Sequence, residues 1–381
     1  MKRLFLLGST GSIGRQTLDV IAQHPGAFEV VGLAAGHDVQ GLLSQAQELG
    51  VQHLGMGDEE AGASLRASAG TAQVAVGSEA LCDQIREVRP DLVVGAVSGI
   101  AGLAPVMAAI GAGIDVALAN KEPLVAAGRL VTTAAARSGS KLLPIDSEIS
   151  AVFQCLEGRP REQLHQVLLT ASGGAFRDYP REKLAEVTPE MALNHPTWRM
   201  GRKITVDCAT LANKGFEVFE LRWMFGLEFS QIRVLLHHQS ILHSMIELVD
   251  GSTIAQLGPA DMRFAIQYAL TWPERWPNEY PKLDLAQIGK LTFGEPDFDR
   301  FPLLRLAYEA GEADQSYPCV LNAANEQAVE LFLEGRIRFT EIAELVARVL
   351  GAHEPLNPRS LEDIATVDRW ARGQVLSLLT T

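Results

Sequence analysis

The run Leu4–Leu7 stops at Gly8-Ser9-Thr10-Gly11-Ser12-Ile13-Gly14, and a helical pattern opens directly after it. No other feature narrows the fold as much. Glycines three residues apart between a buried strand and a helix let backbone N–H groups approach a pyrophosphate placed on the helix N-terminus. The same residues also suit a tight strand-to-helix turn that binds nothing. The chain downstream favours the dinucleotide reading. Through residue 146, short apolar runs at 4–7, 29–33, 53–56, 73–76, 92–96, 116–119 and 142–145 alternate with amphipathic stretches such as 16–23, 39–48, 80–88 and 106–112. That is the rhythm of βαβ units. Several runs are apolar throughout, as a parallel sheet covered on both faces requires. The first segment is therefore expected to be α/β and dinucleotide-binding.

From residue 147 the texture changes. A helix at 150–156 and a strand at 166–170 lead into the stretch 172–203, with Gly173-Gly174, Pro180, Pro189, Pro196 and one short helix near 181–186. A connection this long inside a compact domain is usually functional. Strands are expected at 232–236 and 253–256, then a proline-rich extended stretch within 273–302. Helices follow from about 303, with clear periodicity at 325–333, 340–349 and 361–376 and a break at 351–358. The expected organisation is 1–146, a central α+β domain over 147–281 with a lid loop at 172–203, a linker at 282–302, and a helical domain over 303–381.

Composition excludes several partners. With 33 basic against 46 acidic residues, a net charge of −13, the chain is a poor match for nucleic acid, which needs clustered Lys and Arg. No uncharged apolar run reaches the roughly 18 residues of a membrane span. The apolar start ends at Gly8, short of a signal peptide's core. Cys82, Cys155, Cys208 and Cys319 lie far apart with no C-x-x-C pair, which suits a reducing compartment. A cytoplasmic enzyme of small molecules is expected, with neither nucleic acid nor membrane as partner.

Cofactor choice is decided at the end of the second strand, Ala34-Ala35-Gly36-His37-Asp38. No carboxylate stands on the strand tip to hold a ribose 2′-OH and repel a 2′-phosphate. His37 can donate to a phosphate and Asp38 counts the other way; the balance prefers NADP.

Asp146-Ser147-Glu148 lies where the last strand of the first segment gives out. In extended backbone two carboxylates two residues apart share a face, and such a pair suits a hard divalent cation. A helix-capping acid beside a solvated one explains the same residues. In the helical segment Asp207–Glu217, Asn213, Lys214 and Glu217 fall on one face. That face could hold a phosphorylated substrate and a cation together, or form a plain surface ion pair. Asn194-His195-Pro196-Thr197-Trp198-Arg199-Met200 ends the long loop, and a Trp and a Met there suit a lid closing over something apolar. His195 is a candidate for binding phosphate or shuttling protons, or is simply exposed. His237, His238 and His243 lack zinc-ligand spacing and read as structural.

Gly8–Gly14, Ala119-Asn120-Lys121-Glu122, Asp146-Ser147-Glu148, Ala171-Ser172-Gly173-Gly174, Asn194–Trp198, Met200-Gly201-Arg202-Lys203, Asn213-Lys214-Gly215, His243-Ser244-Met245 and Asn322-Ala323-Ala324-Asn325-Glu326 occur in one order along the chain. In that order they resemble the 1-deoxy-D-xylulose 5-phosphate reductoisomerase family of the methylerythritol phosphate route to isoprenoids, over essentially the whole length. The resemblance implies a Rossmann-type NADPH-binding domain, a central catalytic domain that also dimerises, and a C-terminal four-helix bundle. It implies one Mg²⁺ or Mn²⁺ held by Asp146, Glu148 and Glu217. Lys121, Ser147, Glu148, Ser172, His195, Cys208, Asn213, Lys214 and Glu217 would line the sugar-phosphate site, with Lys121, Glu148, His195 and Trp198 taking part in the chemistry. Thr10, Gly11, Ser12, Ile13, Gly36, His37, Asp38, Asn120, Glu122 and Gly201 would meet NADPH. Three departures from the family's pattern stand out: Cys208 replaces a Ser whose hydroxyl meets the substrate phosphate, His37-Asp38 replaces a frequent Lys-Asn, and Pro259-Ala260 replaces the usual Asn-Pro as His238 replaces a Pro, the last two reading as structural drift. Another NADP-dependent oxidoreductase, acting on a small phosphorylated or semialdehyde substrate, remains the alternative.

Overall fold

Runs rich in Val, Leu, Ile and Ala, cut by Gly or by a polar helix cap, set the element order. The computed structural model describes residues 1–379. The chain runs β1 (Lys2–Leu7), α1 (Ser12–Ala22), β2 (Phe28–Ala35), α2 (Val39–Leu49), β3 (His53–Met56), α3 (Glu59–Ser68), β4 (Gln73–Val76), α4 (Gly77–Val88), β5 (Leu92–Gly95), α5 (Leu103–Gly111), β6 (Asp115–Leu118), α6 (Glu122–Ser138), β7 (Leu142–Pro144) and α7 (Ser147–Leu156). Then come β8 (Leu164–Ala171), α8 (Pro189–Ala192), α9 (Arg202–Thr210), α10 (Ala212–Phe225), β9 (Ile232–Leu236), β10 (Leu242–Leu248) and β11 (Thr253–Leu257). The rest is helical: α11 (Arg263–Thr271), α12 (Leu285–Ile288), α13 (Pro302–Ala313), α14 (Tyr317–Leu333), α15 (Phe339–Gly351) and α16 (Leu361–Ser377). The architecture is a Rossmann-type N-terminal part, a central mixed part and a C-terminal helical bundle.

One compact unit comprises Met1–Pro123, Arg129–Ser150 and Asp261–Tyr280. Its seven parallel strands lie in the order β4-β3-β2-β1-β5-β6-β7. Strand order reverses between β1 and β5, and in such sheets ligands gather beyond the carboxyl ends at this switch. Leu4, Phe5, Leu6 and Leu7 on β1 and Leu92, Val93 and Val94 on β5 are almost wholly buried, so the sheet's centre is its core. Asp38 and Asp58 cap α2 and α3 by accepting the N–H of Gly41 and Ala61.

Residues 261–280 belong to this unit, whereas the sequence expectation put them in a central domain over 147–281. The physical reason is burial: α11 packs on α1, and the Trp276 ring lies 5.3 Å from His24 and 5.6 Å from Phe28. Such a return over more than two hundred residues leaves no local signal.

The other compact unit comprises Leu124–Gly128, Ala151–Ala260 and the chain from Pro281. It holds a four-stranded sheet in the order β11-β10-β8-β9, antiparallel except for β8 with β9. Helix α14 packs against α13, α15, α16 and also α9. Its Ala323, Ala324 and Ala328 are fully buried, and small residues there let the neighbouring helices approach closely. The central strand β10 lies outside the sequence expectations. It reads Leu-His-Ser-Met-Ile-Glu-Leu, and its His243 and Ser244 are buried although polar.

Candidate functional site

In the first unit the glycine run makes an open anion cradle. Gly8 has φ +82°, and a Cβ there would stand 2.3 Å from Ala96 O, so only glycine lets the loop lie flush on the strand end after β5. Gly11 is the N-cap of helix α1, which has no side-chain cap and no acid in its first turn. Gly11 and Ser12 are exposed, with Thr10 and Ile13 half-buried beside them. Its first N–H groups are thus available to a phosphate.

At the end of β2, Gly36 and His37 are exposed, while Asp38 spends a carboxylate oxygen on Gly41 N–H at 2.9 Å. Its acid is a helix cap. At the end of β6, Asn120 donates to Gly99 O at 3.3 Å, and its Oδ1 is buried with no hydrogen-bond partner among the described residues. Glu122 is buried in the first turn of α6. An uncapped helix start, a strand tip without a carboxylate and an orphaned amide oxygen fit a phosphorylated dinucleotide.

The same unit carries Lys121, Asp146, Ser147 and Glu148. Asp146 Oδ1 accepts the backbone N–H groups of Glu148 (3.2 Å) and Ile149 (3.5 Å), while Oδ2 meets Lys121 Nζ at 2.6 Å. Asp146 is thus a capping acid and a buried partner of an ammonium at once. The expected extended backbone is not what relates the two carboxylates: α7 starts at Ser147, so Glu148 lies in its first turn, its carboxylate bonded to the Ser147 hydroxyl. Lys121 and Asp146 are 3% and 8% exposed. Charges this deep need partners, and removing either one would leave the other buried and uncompensated.

In the second unit, the segment Asp207–Glu217 is not one helix. Leu211 adopts φ +61°, ψ 10°, ending α9 and starting α10 one residue later. A buried leucine in the left-handed region is strained, and such positions gather at functional sites. The break puts Asn213 and Lys214 in the first turn of α10. Asn213 Nδ2 donates to Glu217 Oε1 at 2.6 Å, and Lys214 Nζ donates to Glu217 Oε2. Asn213 Oδ1 is buried with no partner among the described residues. Glu217 is 1% exposed, so this is no surface ion pair.

After β8, Ser172 Oγ lies 3.0 Å from His195 Nε2. His195 Nδ1 accepts the N–H of Thr197 (3.1 Å) and of Trp198 (2.9 Å). The neutral ring therefore carries its proton on Nε2, facing Ser172. The half-buried Trp198 ring leans over His243 at 6.2 Å. Gly174 has φ +71°, and a Cβ there would stand 2.3 Å from Cys208 O, which fits the loop directly onto α9. Gly201 caps α9, exposed to solvent.

His237 and His243 serve the fold: His237 Nδ1 meets Thr292 O at 2.9 Å and its Nε2 accepts Leu242 N–H at 3.2 Å, while His243 Nε2 meets Pro259 O at 3.2 Å. Sequence reading missed the buried Asp207, which binds Lys203 at 2.8 Å and Asn325 at 2.8 Å. Only Lys203, four residues away on the same helix, was legible.

Asp146 and Glu217 are buried and Glu148 half-buried, an all-oxygen carboxylate set. That chemistry fits a hard divalent cation rather than a soft metal.

Family models described as 1-deoxy-D-xylulose 5-phosphate reductoisomerase (residues 4–128), its C-terminal domain (142–225) and DXP reductoisomerase C-terminal domain (257–374) match this chain. The reductoisomerase of Gloeobacter violaceus is 50% identical over 98% of this chain and 97% of its own; that of Chlorobaculum tepidum is 49% identical over the full length of both. Among solved structures, the Zymomonas mobilis enzyme in complex with NADPH superposes with a TM-score of 0.92 at 38% identity, covering 99% of each chain. A DOX-P reductoisomerase in complex with NADPH, fosmidomycin and magnesium gives 0.94 at 37%, covering 100% of this chain and 98% of that one.

Proposed function

The chain belongs to the 1-deoxy-D-xylulose 5-phosphate reductoisomerase family, and from that premise we propose how its own residues divide the work. It is an NADP-dependent oxidoreductase that rearranges and reduces 1-deoxy-D-xylulose 5-phosphate to 2-C-methyl-D-erythritol 4-phosphate, with NADPH and a divalent cation, Mg²⁺ or Mn²⁺, as cofactors. The observation that carries the assignment of roles is the pairing of buried carboxylates with buried lysines: Lys121 with Asp146, and Lys214 with Glu217.

Asp146, Glu148 and Glu217 hold the cation, and Thr10, Gly11, Ser12, Ile13, Gly36, His37, Asn120, Glu122 and Gly201 receive NADPH. Asp38 stands beside them with one carboxylate oxygen held by the α2 cap, and the strand tip before it carries no carboxylate, which supports NADPH over NADH. When bound, the cation supplies Lewis acidity and NADPH the reducing equivalent. Lys121, its ammonium 2.6 Å from Asp146 Oδ2, holds a proton where oxyanion charge develops. Ser172, Asn213 and Lys214 anchor the phosphate, with Ser147 on the sugar's hydroxyls and Cys208 a weaker donor than the serine it replaces. His195 presents Nε2–H beside Ser172, and Trp198 covers the site against water.

The sugar phosphate is the partner. A homodimer is the assembly we infer, supported by the apolar cluster Leu168, Leu242 and Met245 with half-buried Leu235, Ala255, Leu257 and Leu291, and by β11 at the end of its sheet. Among the described residues no helix is long and apolar enough to cross a membrane; a cytoplasmic place is part of the same proposal.

The test is NADPH oxidation with 1-deoxy-D-xylulose 5-phosphate, with and without EDTA, repeated with NADH. Glu217→Gln should lose metal-dependent turnover while binding NADPH as the parent does. Loss of NADPH binding to the same extent, or turnover that ignores the chelator, would refute the assignment.

A further inference from the structure

We propose that Arg300 is a positioning residue for the phosphate-binding loop after β8, setting Ser172, Gly173 and Gly174 through the backbone of residues 176–179. The proposal rests on the reading of Ser172 as a phosphate anchor. Residues 172–180 form neither helix nor strand, so their carbonyls need donors from elsewhere. Arg300 supplies them. Its Nη1 donates to Arg177 O at 3.0 Å, and its Nη2 donates to Phe176 O at 2.5 Å and also to Tyr179 O. One planar guanidinium gathers three main-chain carbonyls; an ammonium on a flexible stem offers no such fork.

The arginine is itself held. Its backbone N–H bonds to Asp297 Oδ1 at 2.9 Å, just before α13, and its guanidinium lies 5.1 Å from the Phe301 ring. The turn it grips is seated on the helical part of the same unit, with the Phe176 ring 5.0 Å from Phe339 and 5.6 Å from Tyr179. From this anchor a short, stiff path leads to the loop. Arg177 Nη1 donates to Ser172 O and to His238 O, each at 3.1 Å. Gly173 and Gly174 follow with φ +85° and +71°, and Gly174 N–H donates to Ser172 Oγ at 3.3 Å. Gly174 has no slack against α9, because a Cβ there would meet Cys208 O and Ala209 Cα. A displacement at 176–179 is thus passed to Ser172 and, through its 3.0 Å contact, to His195 on the lid.

The consequence is preorganisation. With Arg300 the loop is already shaped for an anion; without it, the substrate must order the loop as it binds. The cost then falls on substrate affinity and not on the dinucleotide.

The experiment compares Arg300→Met and Arg300→Lys with the parent, and uses Ser172→Ala as reference. It measures kcat and KM for 1-deoxy-D-xylulose 5-phosphate, the inhibition constant of inorganic phosphate, NADPH affinity and the melting temperature. For Arg300→Met, KM and the phosphate inhibition constant should rise together by about tenfold, with NADPH affinity unchanged. Arg300→Lys should fall between. A purely structural role would lower kcat and the melting temperature and leave KM and the phosphate constant where they were, which would overturn the proposal. Parent-like constants in both Arg300 variants, with Ser172→Ala raising them, would overturn it as well. Should Arg300→Met not fold, Arg300→Lys decides by the same two constants. If Ser172→Ala also leaves them unchanged, the phosphate assignment itself fails, and this proposal with it.

Discussion

Gly14→Ala tests the glycine run at its tightest point. An alanine methyl there would stand 2.3 Å from Gly8 O, 2.5 Å from Ser9 Cα and 2.5 Å from Ser9 O. All three are backbone atoms, so no side chain can rotate away. Relaxed contacts need about 3.5 Å, so α1 must withdraw from the loop by about 1 Å. Overpacking of this kind costs about 1–3 kcal/mol. The displaced turn is the one that carries the uncapped N–H groups of α1, and a misplacement of about 1 Å costs a positioned site on the order of a hundredfold. NADPH affinity should therefore fall roughly ten- to hundredfold, or about 1.4–2.7 kcal/mol. Fluorescence titration of NADPH measures it, with circular dichroism to show that the variant is folded. Gly111→Ala is the control: it ends α5 and a Cβ there meets nothing within 4 Å, so binding should not change. A folded Gly14→Ala protein that binds NADPH like the parent would refute the packing argument and the phosphate role of the cradle.

Two further outcomes concern stability. His353 sits between Ser316 and the rings of Tyr317 and Trp370, and burial holds its pKa below the usual 6.5. The unfolded chain therefore takes up a proton that the folded chain refuses, so stability is full above pH 6.5 and declines as pH falls below it; melting curves at a series of pH values should show this slope reduced in His353→Gln. Gly373 is exposed inside α16 with nothing within 4 Å of a Cβ, so Gly373→Ala should stabilise the protein by about 0.5–1 kcal/mol, read as a raised melting temperature with activity unchanged.

Local patterns were legible and distant closures were not. The strands 53–56, 73–76 and 232–236 match their expected limits residue for residue, and a short 3-10 helix, Arg181–Glu186, stands near where one was expected. In each, the run ends at a turn or helix boundary that the sequence itself marks. β10 escaped because His243 and Ser244 interrupt its apolar run, and both are accommodated only after β8 and β11 pair on either side. The break at Leu211 escaped because nothing in a leucine announces a positive φ; only the packing of Leu211 between two buried helices holds it there.

The candidate site divides along the same line. Lys214 with Glu217, and Asn213 with Glu217, lie within one helical turn, so their spacing alone set them on a common face. What spacing could not supply was their depth. At 1% exposure, Glu217 cannot be the solvated partner of a surface pair, and depth is what separates a cheap ion pair from an expensive one. Lys121 meets Asp146 across 25 residues and Asn325 meets Asp207 across 118; neither pairing follows from any periodicity. Sequence thus names which side chains can do chemistry, while burial decides which of them are kept for it. The net charge of −13 makes the point at the scale of the chain: it weighs against a polyanion as partner, but it does not reveal the local field that a few buried cations and N–H groups set inside an acidic protein.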